Sequence, residues 1–207
     1  MKVKKSIRIA TPVKGNGGEK LAIKIISNEE AKEGSLDSVQ NEIETLYQLN
    51  HPNIITLYHA YRDEKFTYIV LEHCAVDIID IVPEDRARIL SSKLLSALAY
   101  LHQRKLCHLD IKPQNIILKT NDPCDLKLID FGYAYNINDA SQFIPRGTKE
   151  YYAPEIPEGL AGTFSDMWSF GITLYYWLSL SVPFKGANIE EILARAIYRK
   201  IDLDTGM

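Results

Sequence analysis

The sequence changes character once, near Glu72 to Asp77, and that break constrains the fold more than any other feature. Before it, short apolar strand-like runs surround one helical segment. After it, long apolar stripes recur at helical spacing. A chain divided in this way reads as two lobes joined by a short hinge. At 207 residues it is long enough to bury a sizeable core.

Leu21-Ala22-Ile23-Lys24-Ile25-Ile26 is the first clear strand, with Gly15, Gly17 and Gly18 marking the turn before it. Leu36 to Leu49 reads as an amphipathic helix with Val39, Ile43 and Leu46 on one stripe. Asn50-His51-Pro52 ends it, because the residue before proline avoids helical geometry. Strands are predicted at Ile54 to Tyr58 and Phe66 to Leu71, around a turn at Arg62 to Lys65. Beyond the break, Pro83 opens a helix striped by Leu90, Leu94, Leu98 and Leu101 and ending near Gln103. Short strands follow at Ile116 to Leu118 and Leu126 to Ile129, separated by a turn at Asn121 to Asp125. Ser165 can cap a very apolar helix from Asp166 to about Leu180, whose all-round apolarity predicts a place at the domain centre. A last helix is expected over Asn188 to Lys200.

Composition sets the outer limits. Apolar residues make up 46% and charged residues 25%, ordinary for a globular chain. A net charge of -3 lacks the basic footprint of a nucleic-acid binder. The longest apolar stretch, Gly171 to Phe184, is too short to cross a bilayer, and the basic start lacks a signal peptide's apolar run. No membrane partner is therefore expected. Cys74, Cys107 and Cys124 are odd in number and without CxxC spacing, which argues against a disulfide framework or zinc site. A reducing compartment, cytoplasm or nucleus, fits best.

Four clusters could carry chemistry. Period two places Lys24 on a strand that is apolar on both faces, so a covered ammonium there needs an anion. Glu42, on the inward side of the following helix, is the candidate, whereas Glu44 points away. Read alone, Lys24 serves equally well as an edge lysine that blocks aggregation. The polar loop His108 to Asn115 gathers Asp110, able to accept a hydroxyl proton, Lys112, able to neutralise a phosphate, and Asn115, able to offer oxygen to a hard cation. By itself it is also an ordinary solvated loop. Asp130-Phe131-Gly132 puts a carboxylate at a strand end beside glycine, suited to magnesium or to a simple turn. Last, Ala153-Pro154-Glu155 precedes Asp166, which alone would be a helix cap.

In order and spacing these clusters resemble the signature of the eukaryotic-type protein kinases. Leu21 to Lys24 matches the family's strand lysine motif, and Glu42 stands where its partner glutamate belongs, ahead of His51-Pro52-Asn53-Ile54. His108 to Asn115 matches the catalytic loop, Asp130 to Gly132 the metal motif, and Ala153 to Glu155 the end of the activation segment. The resemblance covers nearly the whole chain. It implies an α+β, two-lobed fold: a small, mostly antiparallel β lobe with one main helix, and a larger, mainly helical lobe, truncated at both ends. The lobes would be 1–71 and 78–207, with 72–77 as hinge, in a single domain.

The implied activity is ATP- and Mg2+-dependent transfer of the γ-phosphoryl group to a serine or threonine hydroxyl of a protein substrate. Lys24, paired with Glu42, would hold the α- and β-phosphates, while Asp130 and Asn115 would bind magnesium. Asp110 would deprotonate the acceptor, with Lys112 on the γ-phosphate. Ile7 and Ala22 above and Ile117 below would enclose the purine, with Leu71 at the back of the pocket. Backbone groups of Glu72 and Cys74 would bond the adenine edge, and Asp77 the ribose. Lys112 before Pro113 looks like the serine/threonine type of loop, and Gly147-Thr148 resembles the pocket for the residue after the acceptor.

The sequence also departs from the family. Lys2 and Lys5 fall where the phosphate-covering flap has glycines, so residues 1 to 6 are not expected to form it. Leu109 replaces the arginine that reads a phosphate on the activation segment, and the usual phosphorylated position is Ile144. Activity independent of that phosphorylation is expected. The family's helices beyond Met207 carry an arginine for the glutamate matching Glu155, which is therefore expected to be an unpaired, partly buried acid. Apolar surface on the large lobe is expected to be exposed, available to a protein partner. These departures define the alternative, a pseudokinase-like scaffold or binding module with little or no turnover.

Overall fold

The computed structural model describes residues 5–11, 19–29, 35–78, 80–139 and 145–198. The expectations for Lys2, for Gly15, Gly17 and Gly18, for Ile144 and for the end of the last helix lie outside them.

The small lobe consists of β1 (Lys5–Ala10), β2 (Leu21–Ser27), α1 (Ser35–Tyr47), β3 (Leu57–Arg62) and β4 (Phe66–Glu72). The strands form one antiparallel sheet in the order β1-β2-β4-β3. Its register places Ile7 and Ile69 opposite Lys24, and Ile9 and Leu71 opposite Ala22. Directly opposed residues share a face, so these six side chains lie on one side of the sheet. Helix α1 covers part of that side. Its Val39 packs with Ile26 and Ile69, with Ile43, Leu57 and Leu71 at the margin. Each fully buried side chain of this kind contributes about 1.5–3 kcal/mol.

The predicted strand over Ile54 to Tyr58 is displaced, since β3 begins at Leu57. Ile54 instead bridges to Leu128, and the Ile55 N–H donates to Leu128 O at 3.0 Å. The Asn53 amide explains the displacement. It donates to Leu126 O at 2.9 Å while Asn53 O accepts from Leu128 N at 2.9 Å, which ties this segment to the large lobe.

The large lobe carries β5 (Val76–Asp77), α2 (Glu84–Gln103), β6 (Leu106–Cys107), β7 (Ile116–Leu118), β8 (Leu126–Leu128), β9 (Tyr135–Asn136), α3 (Thr163–Ser179) and α4 (Ile189–Tyr198). Two small sheets, β5-β7-β8 and β6-β9, sit on the helices. The leucine stripe of α2 is fully buried against Ile116, Leu118, Leu126, Leu128, Phe131 and Trp177. The expected two-lobed α+β arrangement is thus present.

Helix α3 differs from expectation in two ways. It starts at Thr163, and Ser165 is its third residue, whose Oγ accepts from Gly162 N–H at 3.2 Å. It also buries one face and not its whole circumference. Ser165, Asp166, Ser169, Ile172, Thr173 and Trp177 are buried, whereas Phe164 and Met167 are exposed. The inward face is largely polar: Asp166 bonds the His108–Leu109 backbone, and Ser169 Oγ donates to Tyr151 O. No helix among the described residues is long and apolar enough to cross a membrane.

Candidate active site

The sheet and α1 bring the first pair together. Seating Val39 and Leu46 in the interior turns Glu42 inward, where it is 2% exposed. Lys24 Nζ donates to its two carboxylate oxygens at 2.6 and 2.8 Å, and to Asp130 Oδ1 at 3.5 Å. Burial is the largest influence on this ammonium and pulls its pKa down, but Glu42 and then Asp130 outweigh it, and the net shift is upward. Lys24 is therefore a fixed positive charge at neutral pH.

The loop after β6 is built around Asp110. Lys112 Nζ donates to Asp110 Oδ2 at 2.7 Å, and Asn115 Nδ2 donates to the same oxygen at 2.8 Å. Thr148 Oγ1 donates to Oδ1 at 3.1 Å and lies 2.6 Å from Lys112 Nζ. Asp110, Lys112, Asn115 and Thr148 thus form one connected set. Gly147 is required beside it. Its φ is +124°, and a Cβ there would come within 3.1 Å of Leu109 O and 3.3 Å of Asp110 Oδ1.

Buried Asp166 on α3 fixes the loop backbone. It accepts from His108 N at 2.9 Å and from Leu109 N at 2.8 Å, and His102 Nε2 lies 2.9 Å from Oδ2, the oxygen that also accepts from His108 N. Leu109 adopts a φ of +61°, unusual for a branched residue, and these bonds hold it there. His108 then joins the loop to the second cluster. Its Nδ1 accepts from Asp110 N at 3.2 Å, and its Nε2 lies 3.0 Å from Ile129 O, an arrangement that assigns the proton to Nε2. Its ring meets Phe131 edge-on at 4.8 Å.

Asn115 O accepts from Ile129 N at 2.9 Å, which brings Asn115 beside the strand that ends in Asp130. The bonds that orient the Asn115 side chain use its nitrogen, leaving amide oxygen as the donor to a cation. An amide oxygen and the partly exposed Asp130 carboxylate are hard ligands that fit magnesium. Among the described residues no three His, Cys, Asp or Glu side chains cluster as a metal cage.

The residues expected around a purine are placed as follows. Ile7 is exposed on the face that carries Lys24, and Ala22 lies between Ile9 and Leu71. Ile117 and Asp77 are cross-strand neighbours, on the side of β7 opposite the buried Ile116 and Leu118. Glu72 N donates to Thr56 O, and the Glu72 carboxylate is committed to Thr56 N at 2.7 Å and Lys127 Nζ at 2.8 Å. Cys74 is partly buried, and burial is the main cause that pushes its thiol up to about 12.

Glu155 corrects an expectation. It is not unpaired, since Ser165 Oγ donates to its Oε1 at 2.7 Å. Sequence reading missed Ile9, Asn41 and Lys127, and read Thr148 and Asp166 in lesser roles. The alternation of β1 offered a signal for Ile9, on the same face as Ile7; nothing local marked the others.

Comparison with known proteins agrees with this geometry. Residues 8–205 match the protein kinase domain family. The chain is 34% identical over 203 residues to serine/threonine-protein kinase ULK3 of Xenopus laevis, covering 93% of this chain and 43% of that protein. It is 33% identical over 213 residues to serine/threonine-protein kinase RAD53 of Saccharomyces cerevisiae, covering 92% and 25%. Calcium-dependent protein kinase 5 of Plasmodium falciparum is 35% identical over 187 residues, covering 86% and 33%. The chain therefore spans less than half the length of these relatives. Over the length it shares with them, it belongs to the protein kinase family, among the eukaryotic-type serine/threonine kinases.

Proposed function

We propose that the chain transfers the γ-phosphoryl group of ATP to a serine or threonine hydroxyl of a protein, with magnesium as cofactor. The observation that carries this reading is the pairing of two preorganised sets, Lys24–Glu42–Asp130 and Asp110–Lys112–Asn115–Thr148, joined through His108 and Ile129. Lys24, its charge fixed by Glu42, holds the α- and β-phosphates. Asp110 Oδ1, now bonded to Thr148, is the oxygen that receives the acceptor hydroxyl and takes its proton as the new O–P bond forms. Lys112 neutralises the transferring group while the bond to the β-phosphate oxygen breaks. Magnesium, held by Asp130 and Asn115, would supply charge neutralisation on the phosphate oxygens. Ile7, Ala22 and Ile117 enclose the purine, the Glu72 carbonyl and Cys74 N–H meet its edge, and Asp77 meets the ribose.

The protein substrate docks beside Gly147 and Thr148. Exposed Leu160, Phe164 and Met167 support a protein partner on the neighbouring face. Three free thiols fit a reducing compartment such as the cytoplasm. The decisive experiment is radiolabel transfer from magnesium-ATP to a generic protein, comparing the wild type with Asp110→Asn. The variant should lose about 100-fold or more in rate while still binding nucleotide. Equal labelling by both proteins overturns the proposal, and nucleotide binding without labelling by either favours a scaffold.

A further inference from the structure

Helix α1 touches the Asp130-Phe131-Gly132 segment through a residue that the proposed chemistry does not use. Asn41, half-buried and adjacent to Glu42, directs its amide nitrogen at the backbone that follows Asp130. Nδ2 donates to Ala134 O at 2.8 Å, with longer contacts to Gly132 O at 3.3 Å and Phe131 O at 3.4 Å. The two amide hydrogens are therefore shared among three carbonyls, the Ala134 bond being the strong one. One helical turn earlier the same face comes close again. A Cβ on Gly132 would stand 3.4 Å from Ser38 O and 3.5 Å from Ser38 Cβ. Ser38 and Asn41 are three residues apart and so share a side of α1. The segment itself is a tight turn, with Ala134 N donating to Phe131 O at 3.1 Å.

We infer that Asn41 is a positioning residue that fixes Asp130 relative to Lys24. Asp130 reaches Lys24 at 3.5 Å and carries a strained φ of +63°, and the Asn41 bonds fix the backbone that follows it. Neighbouring residues of one helix thus hold both halves of the site. Glu42 holds the lysine, and Asn41 holds the turn that carries the carboxylate. This inference rests on the proposed kinase reading for its effect on rate, and on geometry alone for the anchoring.

Asn41→Asp keeps the shape and removes the donor, and Asn41→Ala removes both. Glu44→Ala, on the exposed side of α1, is the control. Amide-hydrogen exchange in the nucleotide-free protein should be several-fold faster over residues 131–136 in both Asn41 variants and unchanged in the control. The magnesium concentration for half-maximal transfer should rise about tenfold in Asn41→Asp, with a smaller change in KM for the protein substrate. Wild-type exchange and magnesium dependence in Asn41→Asp would overturn the inference, as would a fall in rate without faster exchange. Faster exchange in Asn41→Asp, together with a wild type that transfers no label, would sink the kinase reading and leave the anchor standing.

Discussion

Lys24 and Glu42 show what a single pair contributes. Both are buried, so removing one partner leaves a charge that interior packing cannot solvate. Glu42→Gln should destabilise the chain by about 3 kcal/mol in denaturant unfolding, since Asp130 offers only a longer second contact. The pH dependence has a definite sign. In the wild type the Lys24 pKa is raised above its ordinary 10.5, so its stabilising contribution is complete below that value and fades only as pH rises through the folded pKa. Without Glu42, burial is opposed by Asp130 alone, and the pKa should fall. The deficit of Glu42→Gln should therefore be largest at about pH 7 and shrink towards about pH 10, as the unpaired ammonium is allowed to lose its proton. A deficit that grows with pH would contradict this assignment of charge. Glu42 was legible in the sequence because helical spacing puts it on the same side as Val39 and Leu46. Asn41 was not, because its acceptors lie about ninety residues away and are backbone carbonyls, which leave no trace in side-chain identity.

At the scale of elements, the catalytic-loop geometry belongs as much to α3 as to the loop. Asp166→Ala would orphan the buried N–H groups of His108 and Leu109, a cost of about 3 kcal/mol, and would release the backbone that aims Asp110. Transfer activity should fall at least tenfold even at temperatures where the variant remains folded by circular dichroism. A folded Asp166→Ala with wild-type kcat would show that the loop holds itself. The polar inner face of α3 also explains why an apolar count misjudged this helix. Asp166, Ser169 and Thr173 occupy the buried side, while Phe164 and Met167 face outward. Long periodic elements such as α2 were readable, because their stripes match the core they meet. The two-residue strands β5, β6 and β9 were not, because pairs that short carry no periodicity. Leu109 makes a related point. Its buried side chain packs with Ala153, Ile156 and Cys107, so apolar contacts join the end of the segment to the loop. Phosphatase treatment should accordingly leave activity unchanged, and its loss on treatment would reverse that conclusion.

For the whole molecule, the question is how the two lobes are kept in register around the proposed nucleotide site. Two ties between the lobes meet at β8. One is the backbone ladder of Asn53 and Ile55 with β8. The other is the ion pair of Glu72, at the end of β4, with Lys127 on β8, side chains only 4% and 12% exposed. Glu72 Oε1 also accepts from Thr56 N, so one oxygen joins the sheet, the connector and the large lobe. Breaking such a pair from one side strands the other charge, whereas replacing both partners with neutral groups removes the desolvation penalty along with the attraction. Lys127→Met alone should therefore cost about 3 kcal/mol, Glu72→Gln alone about as much, and the double variant about 2 kcal/mol less than their sum. The same single variants should raise KM for ATP more than they lower kcat, because Glu72 and Cys74 border the proposed purine edge while Asp110 lies on a separate network. Additive unfolding energies, with kcat falling as far as KM rises, would show that the pair does not set the geometry between the lobes.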